Sequence, residues 1–245
     1  MKNKKRLDAA LAELYPQYSR TQLQSFIMQG EVFVDGVKAT KPGVFVAEDA
    51  EIVLKAEPPK YVCRAGWKLE KALDHFAIDV KDLIILDAGL STGGFTDCLL
   101  QRGAKKIYGV DVGYGQVHEK IRRDPRVVVL EQTNLRDYEH AGEPLDLITL
   151  DLSFISILKV MATVKKYLKP DGRLVTLIKP QFEAERGQVP AGGVITDSVL
   201  HKKIVDNVVH KIEAEGFACQ GVIESPILGA AGNREFLALF LLQQK

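Results

Sequence analysis

Asp87, Gly89, Ser91, Thr92, Gly93 and Gly94 crowd into the stretch Ile84-Ile85-Leu86-Asp87-Ala88-Gly89-Leu90-Ser91-Thr92-Gly93-Gly94-Phe95-Thr96-Asp97. An apolar strand that runs into a small-residue loop and then a helix start can cradle a nucleotide cofactor. Glycine lets the backbone turn sharply and approach a ligand where a Cβ would hinder it. The spacing departs from the dinucleotide pattern G-x-G-x-x-G and lacks the G-K-[ST] ending of a phosphate loop. A cofactor without phosphates suits it better. S-adenosylmethionine (SAM), with an adenosine and an amino-acid end, needs glycines and carboxylates more than a pyrophosphate nest.

Further polar residues fall where apolar runs end. Asp87 closes the first run and Asp111 the next, 24 residues later, where a carboxylate can accept hydrogen bonds from ribose hydroxyls. Asn134 follows the third run, Asp151 ends the fourth and Lys179 the fifth. Together with the glycine loop they form the expected cofactor set: Asp87, Gly89, Ser91, Thr92, Gly93, Gly94, Asp111, Asn134 and Asp151. Lys68 precedes the loop on a helical segment, and Glu235 opens the last apolar run. Two methylation chemistries lack their motifs. The cysteines follow Val62, Asp97 and Ala218, so there is no Pro-Cys nucleophile for attack on cytosine, and Asp151-Leu152-Ser153-Phe154 lacks the prolines of a [DN]-P-P-[YFW] amino-methylation loop.

The elements that must hold these residues alternate. Apolar runs near 83–88, 106–111, 126–131, 145–152, 173–179, 217–224 and 234–242 read as strands. Helical patterns fall near 66–76, 93–102, 116–123, 156–168 and 197–215. Such alternation predicts an α/β fold, Rossmann-like, with a seven-stranded, mostly parallel doubly wound sheet whose ligands sit at the carboxyl ends of its strands. Glu57-Pro58-Pro59-Lys60 marks a stiff linker. It divides the chain into a front module at 1–56, a linker at 57–62 and a larger domain at 63–245.

The 245 residues carry a net charge of +1, so nucleic-acid binding would require local concentration of positive charge. Residues 1–71 hold 12 Lys and Arg against 9 Asp and Glu, with four of the positive charges in the first six residues. No apolar run approaches the roughly 20 residues of a membrane span, and no secretory leader is apparent. The three cysteines lack metal-ligand spacing and suit a reducing cytoplasm; no metal is expected. Leu7, Ala10, Leu11 and Leu14 recur at helical spacing, Ser19 can cap a second helix ended by Gly30, and Val32-Phe33-Val34-Asp35-Gly36 signals a hairpin. Arg6-Leu7-Asp8, Ser19-Arg20, Gly30, Val34-Asp35-Gly36 and Lys41-Pro42 make this small α+β module resemble the RNA-binding domain named after ribosomal protein S-four. That resemblance implies RNA contact through Arg6, Ser19, Arg20, Gln24 and Lys41.

Across the whole chain, Asp87–Asp97, Gly109-Val110-Asp111-Val112-Gly113-Tyr114-Gly115-Gln116, Asp151-Leu152-Ser153-Phe154-Ile155-Ser156, Ile178-Lys179-Pro180-Gln181-Phe182-Glu183 and Gly232-Asn233-Arg234-Glu235-Phe236 resemble the TlyA-type rRNA methyltransferases, also called haemolysin A. The resemblance implies SAM-dependent 2′-O-methylation of ribose, at cytidine, with rRNA or ribosomal subunits as partner. The related FtsJ-like enzymes use a Lys-Asp-Lys-Glu tetrad, which maps onto Lys68, Asp151, Lys179 and Glu235. Leu90 stands where many members carry alanine, a mild change. Lys179 is the expected base, with Lys68 as the neighbouring positive charge and the two carboxylates orienting the lysines. Trp67 could stack on a base, and the glycine-rich stretch 183–193 could rim the substrate. The rival classes are a noncatalytic RNA-binding or ribosome-assembly factor, which has no need of Lys179 and Glu235, and a membrane-active haemolysin, which no membrane-active segment supports.

Overall fold

The computed structural model describes residues 4–55, 59–185, 187–229 and 231–243. The chain divides into two compact units, at 1–59 and 60–245.

The first unit contains β1 (Lys4–Arg6), α1 (Leu7–Leu14), α2 (Arg20–Gln29), β2 (Val32–Val34), β3 (Val37–Ala39), β4 (Phe45–Ala47) and β5 (Ile52–Leu54). Ser19 and Gln22 form a reciprocal capping box at the start of α2, and Gly30 ends that helix. Asp35 and Gly36 both take positive φ, 49° and 77°, as the tight β2–β3 turn demands. Leu7, Leu11, Leu23, Ile27, Val32 and Val46 make the core. Within the basic start, β1 pairs antiparallel with β4. Met1, Lys2 and Asn3 lie outside the described residues.

The second unit runs α3 (Ala65–His75), β6 (Ile84–Ala88), α4 (Gly94–Gln101), β7 (Lys106–Val110), α5 (Glu119–Arg122), β8 (Val127–Leu130), β9 (Leu145–Leu150), α6 (Met161–Tyr167), β10 (Leu168–Ile178), α7 (Pro180–Glu183), α8 (Ser198–Ala214), β11 (Phe217–Glu224) and β12 (Phe236–Leu242). Its sheet has the order β11-β12-β10-β9-β6-β7-β8, and β12 runs antiparallel to both neighbours. Chain order reverses between β6 and β9, the crevice where doubly wound sheets bind ligands. Alternate strand residues serve the two faces. Leu86, Ile148, Leu174 and Phe240 pack with α6 and α8, while Ile85, Leu147, Val175 and Leu239 pack with α3 and α4. A parallel sheet covered on both faces needs such continuous apolar runs.

Several boundaries differ from expectation for local reasons. The expected linker is shorter at its far end: Tyr61 is buried and the Val62 N–H donates to Asp97 at 2.8 Å, so the second unit begins at Lys60. Glu57 and Pro58 lie outside the described residues. The helix expected at 116–123 shrinks to α5, because the His118 ring caps it by accepting from the Lys120 N–H at 3.1 Å. The helix expected at 156–168 starts as a 3-10 turn, Ile157–Val160, capped by Ser156. The last strand starts at Phe236, which leaves Glu235 in the preceding loop.

Candidate active site

Gly89 leaves β6 at φ 86°, and a Cβ there would lie 2.4 Å from the Asp151 carbonyl oxygen. Only glycine lets the loop after β6 pass this close to the end of β9. The Asp151 N–H donates to Ala88 O at 2.9 Å and fixes the crossing. Asp111, one residue past β7, accepts from the Ser91 N–H and the Gly113 N–H, both at 2.7 Å. Gly89, Ser91, Asp111, Asn134 and Asp151 line a cavity of about 490 Å³ together with Gly113, Gln116, Ser153 and Phe154. This volume lies within the usual range for small-molecule sites, about 300–1,000 Å³. The Asn134 side-chain oxygen accepts from the Arg136 N–H at 3.1 Å.

Four other expected cofactor residues stand behind this lining. Asp87 is fully buried, with one carboxylate oxygen accepting from Thr96 Oγ1 at 2.6 Å and the other from Thr149 Oγ1 at 2.8 Å. Burial pushes its pKa up to about 6, against the two hydroxyl bonds that favour the charge. Thr92 O accepts from the His118 N–H at 3.1 Å. Gly93 caps α4 at φ 98° and packs on Ile121, and Gly94 opens α4 against Cys63 Sγ. These four shape the loop from below.

Lys68 and Glu235, far apart in the chain, meet in a buried ion pair with Nζ to Oε2 at 2.6 Å and exposures of 7% and 3%. Lys179 follows β10 directly. Its Nζ donates to Ser153 Oγ at 2.9 Å and stands 2.7 Å from Asp151 Oδ1, out of hydrogen-bond alignment with it. Because β9, β10 and β12 are adjacent, Asp151, Lys179 and Glu235 occupy neighbouring strand ends, which are about 4.8 Å apart per strand. Buried charge is costly unless paired, and here each lysine has a carboxylate. Asp151 belongs both to the cavity wall and to these pairs, which joins a cofactor-sized space to two lysines. Phe154 lies at the lip, 91% exposed at a positive φ of 65°. Such an arrangement can hold a ligand against Asp111 and Asp151 while a hydroxyl is presented to Lys179.

Residues 61–241 match the model of the FtsJ-like methyltransferases, and residues 5–52 match that of the S4 domain. The chain belongs to the FtsJ-like methyltransferases. Within that family it is of the TlyA type. It is 41% identical to the 16S/23S rRNA (cytidine-2′-O)-methyltransferase TlyA of Mycobacterium tuberculosis, over 96% of this chain and 89% of that one. It is 47% identical to Hemolysin A of Brachyspira hyodysenteriae, over 91% and 94% of the two chains. A solved structure of a hemolysin-designated protein from Streptococcus thermophilus aligns with TM-score 0.77 at 38% identity, covering 100% of this chain and 90% of that one.

In this FtsJ-like chain, Asp8 is the central polar residue of the S4 unit, although sequence reasoning gave it no role. It is fully buried and accepts from Arg6 at 3.0 and 3.1 Å, from Arg20 at 3.0 Å and from Gln24 at 2.9 Å. The Arg6 hydrogen bond, with those of Gln24 and Arg20, holds its carboxyl far below the usual range against the cost of burial. Three of the five expected RNA contacts thus share one anchor. Ser19 is spent on its helix cap, and Lys41 is exposed on the loop before β4. The signal for Asp8 was in the sequence: an acid placed one helical turn before Leu11 on the buried stripe must find cations.

Sequence reasoning also gave no role to Gly113, Gln116, Ser153 or Phe154 of this FtsJ-like site. All four belong to the motif segments that follow β7 and β9, but only the fold shows that they face one cavity. Trp67 packs edge-on against Tyr61 at 5.4 Å and is 45% exposed. In the stretch 183–193, Glu183 ends α7, and the Gly193 carbonyl accepts from the buried Asn233 amide at 2.9 Å; Arg186 lies outside the described residues. No helix among the described residues is long and apolar enough to cross a membrane.

Proposed function

We propose that this chain transfers the methyl group of SAM to a ribose 2′-hydroxyl of ribosomal RNA, at a cytidine, acting on rRNA or ribosomal subunits in the cytoplasm. The observation that carries this reading is the meeting of the Asp151–Lys179 and Lys68–Glu235 pairs at adjacent strand ends beside the cavity. Amino methylation has no use for two buried lysines, and covalent base methylation would require a cysteine nucleophile at the site.

SAM fits the residues present. Asp111 would accept from its ribose hydroxyls, Asn134 would meet the adenine side, and Gly89, Ser91 and Asp151 would hold the amino-acid end. Asp87, Thr92, Gly93 and Gly94 would keep that loop in shape. When bound, SAM supplies an electrophilic methyl on a positively charged sulfur.

The chain's own residues then do three things. The loops bring hydroxyl and methyl together in line, and well-oriented reactants of this kind gain on the order of 7 kcal/mol or more. Lys179 holds the ribose hydroxyl; once its ammonium has released a proton to solvent, the amine receives the hydroxyl proton while the new O–C bond forms and the S–C bond breaks. Ser153 Oγ, bonded to Lys179 at 2.9 Å, marks where a hydroxyl oxygen sits against this nitrogen. Asp151 and Glu235 aim the two lysines. The 1–56 module would gather the RNA through Arg6, Arg20, Gln24 and Lys41, and contacts of that type position the RNA without reading its sequence. Trp67 and Phe154 offer exposed rings on which bases can stack.

The test is incubation with isotope-labelled SAM and separated ribosomal subunits that lack the modification, followed by nucleoside mass spectrometry. The reading expects label in 2′-O-methylcytidine. Label on a base would overturn the chemistry, and RNA binding without transfer would favour an assembly factor.

A further inference from the structure

The loop from Asp151 to Ser156 carries Asp151, Ser153 and Phe154, and it is held at both ends. At the first end the Asp151 N–H is bonded to the sheet at Ala88 O, 2.9 Å away. At the other, Glu183 closes on it with both carboxylate oxygens. Oε2 accepts from Ser156 Oγ at 2.6 Å and Oε1 from the Ile157 N–H at 2.8 Å. Glu183 ends α7, the short helix that begins directly after Lys179. Its neighbour Phe182 packs its ring 5.2 Å from that of Phe154. Between these fixed ends Phe154 keeps a positive φ of 65°, a conformation that L side chains hold only where surroundings enforce it.

We propose that Glu183 is a positioning residue for methyl transfer, clamping the Asp151–Ser156 loop so that Ser153 and Phe154 stay beside Lys179. This rests on the proposed ribose chemistry. The clamp ties the segment before the transfer site to the segment after it, so that Lys179 and its hydroxyl partner Ser153 move together. Burial pushes the Glu183 carboxyl up, and the hydrogen bonds from Ser156 and the Ile157 N–H, then Lys211 on α8, oppose that rise. Protonation does not open the clamp. The Ser156 hydroxyl can donate or accept, so it can reverse towards a protonated carboxyl while the other oxygen still takes the Ile157 N–H. A glutamine fits by the same reversal.

The experiment compares the full-length parent with Glu183→Ala, Glu183→Gln and Ser156→Ala. The readouts are kcat and KM on ribosomal subunits, SAM affinity by calorimetry, Tm, and amide hydrogen exchange over residues 153–157. Glu183→Ala should lower kcat roughly 30-fold, about 2 kcal/mol, with SAM affinity nearly unchanged and exchange at Ile157 accelerated. Glu183→Gln should stay within about threefold of the parent, and Ser156→Ala, which removes one of two bonds, should fall between. Parental kcat and exchange in Glu183→Ala would overturn the proposal, as would equal losses in the Ala and Gln variants. If the parent itself methylates no ribose, the functional reading fails, whereas the exchange data still decide whether the clamp exists.

Discussion

Replacing Lys68 by Met and Glu235 by Leu, singly and together, separates a catalytic ion pair from a structural one. The two groups are almost wholly buried and 2.6 Å apart. Lys68→Met leaves the Glu235 carboxylate buried without its cation, and Glu235→Leu leaves an ammonium without its anion. Breaking a buried pair from one side costs about 3–5 kcal/mol. In a folding unit of this size each kcal/mol moves Tm by about 2–4 °C, so each single variant should melt roughly 6–20 °C below the parent. The double variant removes both charges and fills the space with apolar groups of similar volume. Such replacements are neutral or stabilising by about 1–4 kcal/mol, so its Tm should return to the parental value or exceed it. Thermal unfolding gives the stabilities, and single-turnover methyl transfer gives the rates. All three variants should lose at least about 100-fold in rate, the scale of a lost positioning contact at the reacting groups. A double variant that is stable and still transfers methyl near the parental rate would refute the catalytic assignment. One as unstable as the singles would refute the energetic argument.

Gly89→Ala should lose roughly 2–5 kcal/mol, from a left-handed backbone combined with a methyl forced against the Asp151 carbonyl, and should bind SAM weakly by calorimetry; parental stability would count against the close crossing. Asp87, with a folded pKa of about 6 against the ordinary 3.8, is destabilising once ionised, so its contribution is fully present below 3.8 and is lost as pH rises through 6. Asp87→Asn should therefore match the parent near pH 4 and exceed it above pH 7 by up to about 3 kcal/mol, measured by denaturant unfolding across pH. Asp8→Asn adds net positive charge but removes the anchor of Arg6, Arg20 and Gln24. RNA affinity measured against salt should fall about tenfold if geometry governs binding, whereas tighter binding would mean that charge alone does.

The sheet was legible because its central strands are buried on both faces and read as continuous apolar runs, and because those runs end in or beside a polar residue. The run ends alone place Asp111, Asp151 and Lys179 on one edge. Pairing was less legible. That Lys179 goes to Asp151 depends on β10 pairing with β9, and that Lys68 goes to Glu235 depends on β12 inserting between β10 and β11, long-range choices that local pattern does not encode. Asp87 looked like a ligand contact because strand-end acids often are; two threonine hydroxyls, one of them on β9, consume it. The short α5 shows the limit of periodicity, since one histidine ring accepting a backbone N–H decides where that helix begins.

The central claim is that Lys179 acts on the reacting hydroxyl, and Lys179→Ala tests it most directly. Single-turnover transfer to ribosomal subunits, with SAM affinity and RNA affinity measured on the same preparation, separates chemistry from binding. The account predicts a rate lower by about 1,000-fold or more with both affinities within a few-fold of the parent. A rate within tenfold of the parent at unchanged affinities would contradict it.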